Sequence, residues 1–305
     1  MKGRMEKNRN AVMWYSGKWK VVALSVLLIA AIFMMLGQIP VAASESGDAG
    51  PFDECDASEP VDGSMKDTTD FTIYKHKITP EELMRLKEKM GTYEEGKEYN
   101  VMIGNHGTGL APPTEEGWQW TAENLYVVDD ISGGTPRAST DNSQDIWFPP
   151  IGNQDGEGSC VCFAVGYYTK TYQEAKEHNW DLSDVNWVGG YYGYPDKKQD
   201  KIMSPDFIYH QILHWYGGGD HGSTYSDAMN LIHQIGCSSW QTMPYDPTDS
   251  TSWPSEAAWR EAPLYRGETG YNIQWVSTDA DINNLKLFLD NDNLAVISVN
   301  ASWYG

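Results

Sequence analysis

The stretch Pro149-Pro150-Ile151-Gly152-Asn153-Gln154-Asp155-Gly156-Glu157-Gly158-Ser159-Cys160-Val161-Cys162-Phe163-Ala164 specifies a chemistry more clearly than any other part of the chain. Its glycines make a turn-rich approach, and from Cys160 onward the residues suit a helix running to about His178. A thiol at a helix start lies against unpaired backbone N–H groups and the positive helix end, both of which favour thiolate. Gln154, held beside it by the glycine-rich turn, can donate its side-chain amide to the oxygen of a tetrahedral intermediate, with the Cys160 backbone N–H as second donor. Together these make half of an acyl-transfer site. Two residues along a helix is a rotation of roughly 200°, so a Cys160 facing a cleft turns Cys162 into the core as a small buried hydrophobe.

Working outward, Ala228, Leu231, Ile232 and Ile235 recur at helical spacing behind a Thr224-Tyr225-Ser226-Asp227 cap, and Gly236 stands where that helix stops. Ile282, Leu285 and Leu289 repeat the pattern before a turn at Asp290-Asn291-Asp292-Asn293, and the apolar run Leu294–Val299 then reads as a buried strand. On the amino-terminal side, Thr79-Pro80-Glu81-Glu82 is a capping box with proline at the first helical position, opening a helix to about Met90. The segment from Gly104 to about Ser143 reads as mostly loop, with turns at Pro112-Pro113 and Gly133-Gly134. Helices first and strand last predict an α+β fold.

The order of these elements resembles the papain and cathepsin family of cysteine peptidases. That family has an oxyanion glutamine and a nucleophilic cysteine at the spacing of Gln154 and Cys160. Ser204-Pro205-Asp206-Phe207-Ile208-Tyr209 is similar to the start of its second helix. Gly222-Ser223 resembles the glycine pair whose backbone binds extended substrate, and Met243-Pro244-Tyr245-Asp246 resembles its Tyr-Pro-Tyr turn. The resemblance covers about residues 145–305. It implies a helical left domain and a β-barrel right domain, only partly present in this chain and opening with Leu294–Val299. It also implies Cys160 as nucleophile, Gln154 as oxyanion donor, and Gly158, Ser159, Gly222 and Ser223 as substrate-binding residues. Three departures stand out: Glu157 replaces a half-cystine, Val161 replaces a tryptophan, and residues about 179–201, with Trp180, Trp187, Tyr191, Tyr192 and Tyr194, form an insertion read as a packed surface excursion.

A cysteine nucleophile needs a base, and the resemblance implies a histidine and an asparagine roughly 130–150 residues downstream. The seven histidines are His76, His106, His178, His210, His214, His221 and His233, none at that distance. The expectation is a carboxy-terminally truncated and therefore inactive chain. His178, 18 residues along the same helix, would lie about 27 Å from the thiol. His221, before Gly222, reads as a surface loop residue. His210 and His214 have a metal-capable i, i+4 spacing, but with Gln211 between them and no evident third ligand, no metal or other cofactor is expected. Cys237 is left open between a free thiol and a pairing with Cys162, and Cys55 lies in the leader.

The amino terminus carries Lys2, Arg4, Lys7, Arg9, Lys18 and Lys20, then an apolar run from Val21 to Leu36 and the small residues Val41-Ala42-Ala43. This is the layout of a secretory signal cleaved after Ala43; uncleaved, residues 21–36 would anchor the chain in a membrane. The domain reading is residues 1–43 signal, 44–140 acidic leader and pro-segment, and 141–305 peptidase domain. A net charge of −21 repels phosphate backbones and excludes nucleic acid as a partner. The predicted activity is that of a secreted endopeptidase acting on peptide or protein. The alternative is a non-catalytic secreted binding protein that uses its 13 tryptophans and 18 tyrosines as an aromatic surface for glycan or protein.

Overall fold

The computed structural model describes residues 28–34, 71–267 and 271–300, with the backbone alone for 28–34. In chain order the elements are β1 (Leu28–Met34), β2 (Thr72–Lys77), α1 (Pro80–Met90), β3 (Val101–Ile103), β4 (His106–Thr108), α2 (Glu115–Asn124), β5 (Leu125–Ser132), α3 (Cys160–Cys162), α4 (Thr171–Glu177), β6 (Trp187–Val188), β7 (Tyr194–Pro195), α5 (Pro205–Trp215), α6 (Tyr225–Gln234), α7 (Glu256–Glu261), β8 (Tyr271–Trp275), α8 (Asp279–Asp290) and β9 (Ala295–Val299). A π-helical stretch, Phe163–Lys170, joins α3 to α4 without a break, so the expected helix from Cys160 is continuous.

The predicted caps form as their sequences require. Thr79 and Glu82 close a reciprocal capping box on α1, and the Thr224 side chain accepts from Asp227 N–H at the start of α6. Gly236 ends that helix at φ 105°. The expected loop from Gly104 to Ser143 instead contains the β4 strand, α2 and β5. Glycine within α2 blurred its helical period. The apolar residues of β5 follow α2 directly, with no turn signal between them.

The sheet has five strands in the order β2-β5-β8-β1-β9, antiparallel except for the β5–β8 pair. It is an open mixed sheet among the described residues, where the sequence resemblance implied the opening of a barrel. Two of its strands come from the segment read as leader. A third comes from the apolar run read as a signal core, since β1 pairs with both β8 and β9. No helix among the described residues is long and apolar enough to cross a membrane.

One core joins helices and sheet: Val127, Ile273 and Val296 from the strands meet Phe207, Ile212, Leu231 and Ile232 from α5 and α6, with Val161, Cys162 and Val165 beneath the Cys160 helix. Tyr225 ties α6 to β9 through a 2.8 Å hydrogen bond with Ser298. A second aromatic cluster, including Tyr167, Trp240 and Tyr245, takes in Trp187 from the insertion. That insertion is a short hairpin of β6 and β7. It packs on this cluster, and its tip also reaches the loop before Cys160 through a Tyr192 N–H that donates to Asp155 at 2.9 Å.

Candidate active site

Cys160 opens the helical run and is half-buried. Its Sγ accepts a hydrogen bond from the Gly109 N–H at 3.3 Å. Burial pushes the thiol above its ordinary value, against the pull of the Gly109, Val161 and Cys160 N–H groups, and Asp220 adds to the rise. The helix start therefore does not by itself make a thiolate here, because the thiol is covered. Cys162 is fully buried, 3.6 Å from the Ser223 hydroxyl, on the core side expected of it. Cys162 and Cys237 are both free, which resolves the open pairing, and Cys55 lies outside the described residues.

What covers the thiol is an extended segment, Gly107 to Ala111. Gln154 donates its amide to Gly107 O at 2.8 Å and to Glu157 O at 2.9 Å, while Gly107 N–H donates to Asp155 O at 2.9 Å. Ser223 N–H donates to Gly109 O at 2.6 Å, and Ala111 N–H donates to Ser223 O at 2.9 Å, forming a parallel bridge centred on Leu110. Gln154, Cys160, Gly222 and Ser223 thus converge on one stretch of backbone. The approach is close enough to demand glycine: a Cβ on Gly109 would collide with the Gly158 backbone, and one on Gly222, already at φ 81°, with Gly109 O.

Of the remaining expected contacts, Gly158 borders this segment. Ser159 does not: its side chain is buried against Tyr245 at 3.0 Å and supports the loop from behind. The sequence reading missed the group that holds the two glycine turns together. Asp220 accepts from Gly158 N–H at 3.0 Å, from Asn100 and from the Tyr209 hydroxyl, and that hydroxyl accepts from Gly222 N–H at 3.0 Å. An aspartate inside a run of glycines was the available signal. Among the described residues no histidine is hydrogen-bonded to Cys160. His178 pairs with Glu174, His76 with Glu82 and Asp129, and His214 lies against the Trp253 ring.

No family model and no curated protein sequence matches the chain. Among solved structures it is similar to xylellain, a cysteine protease from Xylella fastidiosa, with a TM-score of 0.39 and 17% identity over 65% of this chain and 66% of that one. The chain thus spans just under two thirds of that protein's length. Chemically, the site presents a thiol, an amide donor already bonded to a peptide carbonyl, and a backbone edge that pairs with an extended strand. Such a set can bind a peptide and attack its carbonyl carbon.

Proposed function

We propose that the chain is the latent form of a secreted papain-like cysteine endopeptidase. In this reading Cys160 attacks the peptide carbonyl, Gln154 and the Cys160 N–H bind the oxyanion, and the backbone at Gly222-Ser223 aligns the substrate. The supporting observation is the Gly107–Ala111 segment, held across Cys160 as an extended peptide by Gln154 and Ser223. It presents an amide N–H to the sulfur instead of a carbonyl carbon, so it occupies the site without offering a bond to cleave. In this reading residues 44–140 act as the pro-segment, and residues 1–43 direct export.

The site is tested by mild proteolysis to cut the chain near Gly107, followed by an epoxysuccinyl thiol reagent and peptide mass mapping. Labelling of Cys160 ahead of Cys162 and Cys237 is expected, since those two are buried thiols whose pKa values burial raises. Preferential labelling of Cys162 would refute the assignment. The exposed Tyr191, Tyr192 and Tyr194 favour a second reading, a peptide-binding protein without catalysis. Equal affinity for an extended peptide in wild type and Cys160→Ala, with no thiol labelling in either, would select it.

A further inference from the structure

Behind the nucleophile loop, Glu157 meets Asp206 and His210 of α5, and one ligand atom from each lies within 4.8 Å of the others. All three side chains are at least nine-tenths buried. The His210 Nδ1–H donates to the Ser252 carbonyl at 2.7 Å, which can only accept, so in the neutral ring Nε2 carries the lone pair. That lone pair faces Asp206 Oδ1 at 3.7 Å and Glu157 Oε1 at 4.0 Å. Neither Glu157 oxygen, nor Asp206 Oδ1, nor His210 Nε2 has a hydrogen-bond partner. The neighbouring Ser159 and Tyr245 hydroxyls bond to each other and, from Tyr245, to Gln154 O, and both also lie beside Glu157 and favour its ionised form, while Asp206 Oδ2 accepts from Asp246 N–H.

Two buried carboxyls and an imidazole therefore converge with their facing atoms unpaired, an arrangement that a proton or a bound cation would relieve. A proton shared between His210 and either carboxyl fits poorly, because 3.7 and 4.0 Å exceed hydrogen-bond reach. A metal fits well. Zinc bonds of 2.0–2.2 Å at tetrahedral angles put ligand atoms about 3.3–3.6 Å apart, and His210 Nε2 stands 3.7 and 4.0 Å from the two carboxyls, close to that spacing. The imidazole excludes calcium and magnesium as the preferred ions, and the Nδ1–H to carbonyl bond is the outer-shell support that a metal-binding histidine uses.

We propose that Glu157, Asp206 and His210 bind one zinc-class divalent ion, cross-linking the loop before Cys160 to α5. His210 and His214 do not form the pair that their spacing suggested, since His214 is exposed and turned to Trp253. The proposal stands independently of the peptidase reading. It is tested on the full chain, stripped with a chelator, dialysed and titrated with zinc chloride, with calorimetry and thermal unfolding as readouts. One ion per chain and a rise in Tm with zinc are expected. His210→Ala and Glu157→Gln should each weaken binding by about 10–100-fold or more, while His214→Ala leaves it unchanged. Substituting cobalt in the wild-type chain should give visible d–d bands without a thiolate charge-transfer band, a result that needs no variant to fold. Failure of the stripped chain to bind zinc at millimolar concentration, unchanged binding in both ligand variants, or a cobalt–thiolate band would overturn the proposal.

Discussion

At the scale of single residues, Gly109 lies against the thiol, its N–H 3.3 Å from Cys160 Sγ. A Cβ there would meet the Gly158 backbone, so Gly109→Ala should displace the covering segment and uncover Cys160. Burial is the main reason the thiol titrates high, and uncovering it should lower its pKa. Iodoacetamide alkylation at neutral pH should then speed up by about three- to fourfold for each pKa unit regained, because the gain in thiolate is partly offset by its lower nucleophilicity. An unchanged rate and an unchanged pH profile would mean that the segment does not set the reactivity of Cys160. Lys170 and Glu174 pose a different problem, forming a buried salt bridge between residues one helical turn apart. Lys170 also donates to Arg266 O at 3.1 Å. Lys170→Met leaves Glu174 buried without its ammonium and should cost about 3–5 kcal/mol in urea unfolding. The double variant with Glu174→Leu should recover much of that loss.

At the scale of elements, the strand β2 and the helix α1 are joined by a histidine. His76 lies 3.0 Å from Glu82 and 2.7 Å from Asp129 of β5, and its pKa is raised, chiefly by the hydrogen bond to Glu82 and then by Asp129, against a cost of burial. A raised folded pKa means that the stabilising form is the protonated one. The contribution is complete below the ordinary histidine value and disappears as pH rises through the higher folded value. His76→Gln should therefore be less stable than wild type at about pH 5.5 and equal to it at about pH 9. Because the group is partly exposed, the difference in denaturant unfolding should stay under about 1 kcal/mol. Equal losses at both pH values would show that packing, not charge, carries the contact. The same two elements show what local sequence reveals. The Thr79 capping box was legible because every participant lies within four residues, whereas the β2–β5 pairing joins residues 49 to 60 positions apart.

At the scale of the whole molecule, β1 makes the sheet and the export reading interdependent. It occupies the position between β8 and β9, so cleavage after Ala43 would remove a central strand and leave two edges exposed. If the run is a signal core, the exported protein should begin at Ser44 by intact-mass measurement, with β8 and β9 covered by another strand. Retention of residues 28–34 in the exported protein would reject cleavage. The order of the helices around Cys160, the spacing of Gln154 from the thiol, the burial of Cys162 and the strand at β9 were all legible in the amino-acid order. Each of these follows from caps, period or chain distance, which neighbouring residues carry among themselves. Only the tertiary structure decided that Gly107–Ala111 crosses the thiol, that Asp220 joins two glycine turns, and that Glu157 meets Asp206 and His210. Those encounters are set by how helices and strands bury their apolar faces against one another, and no local pattern encodes that choice.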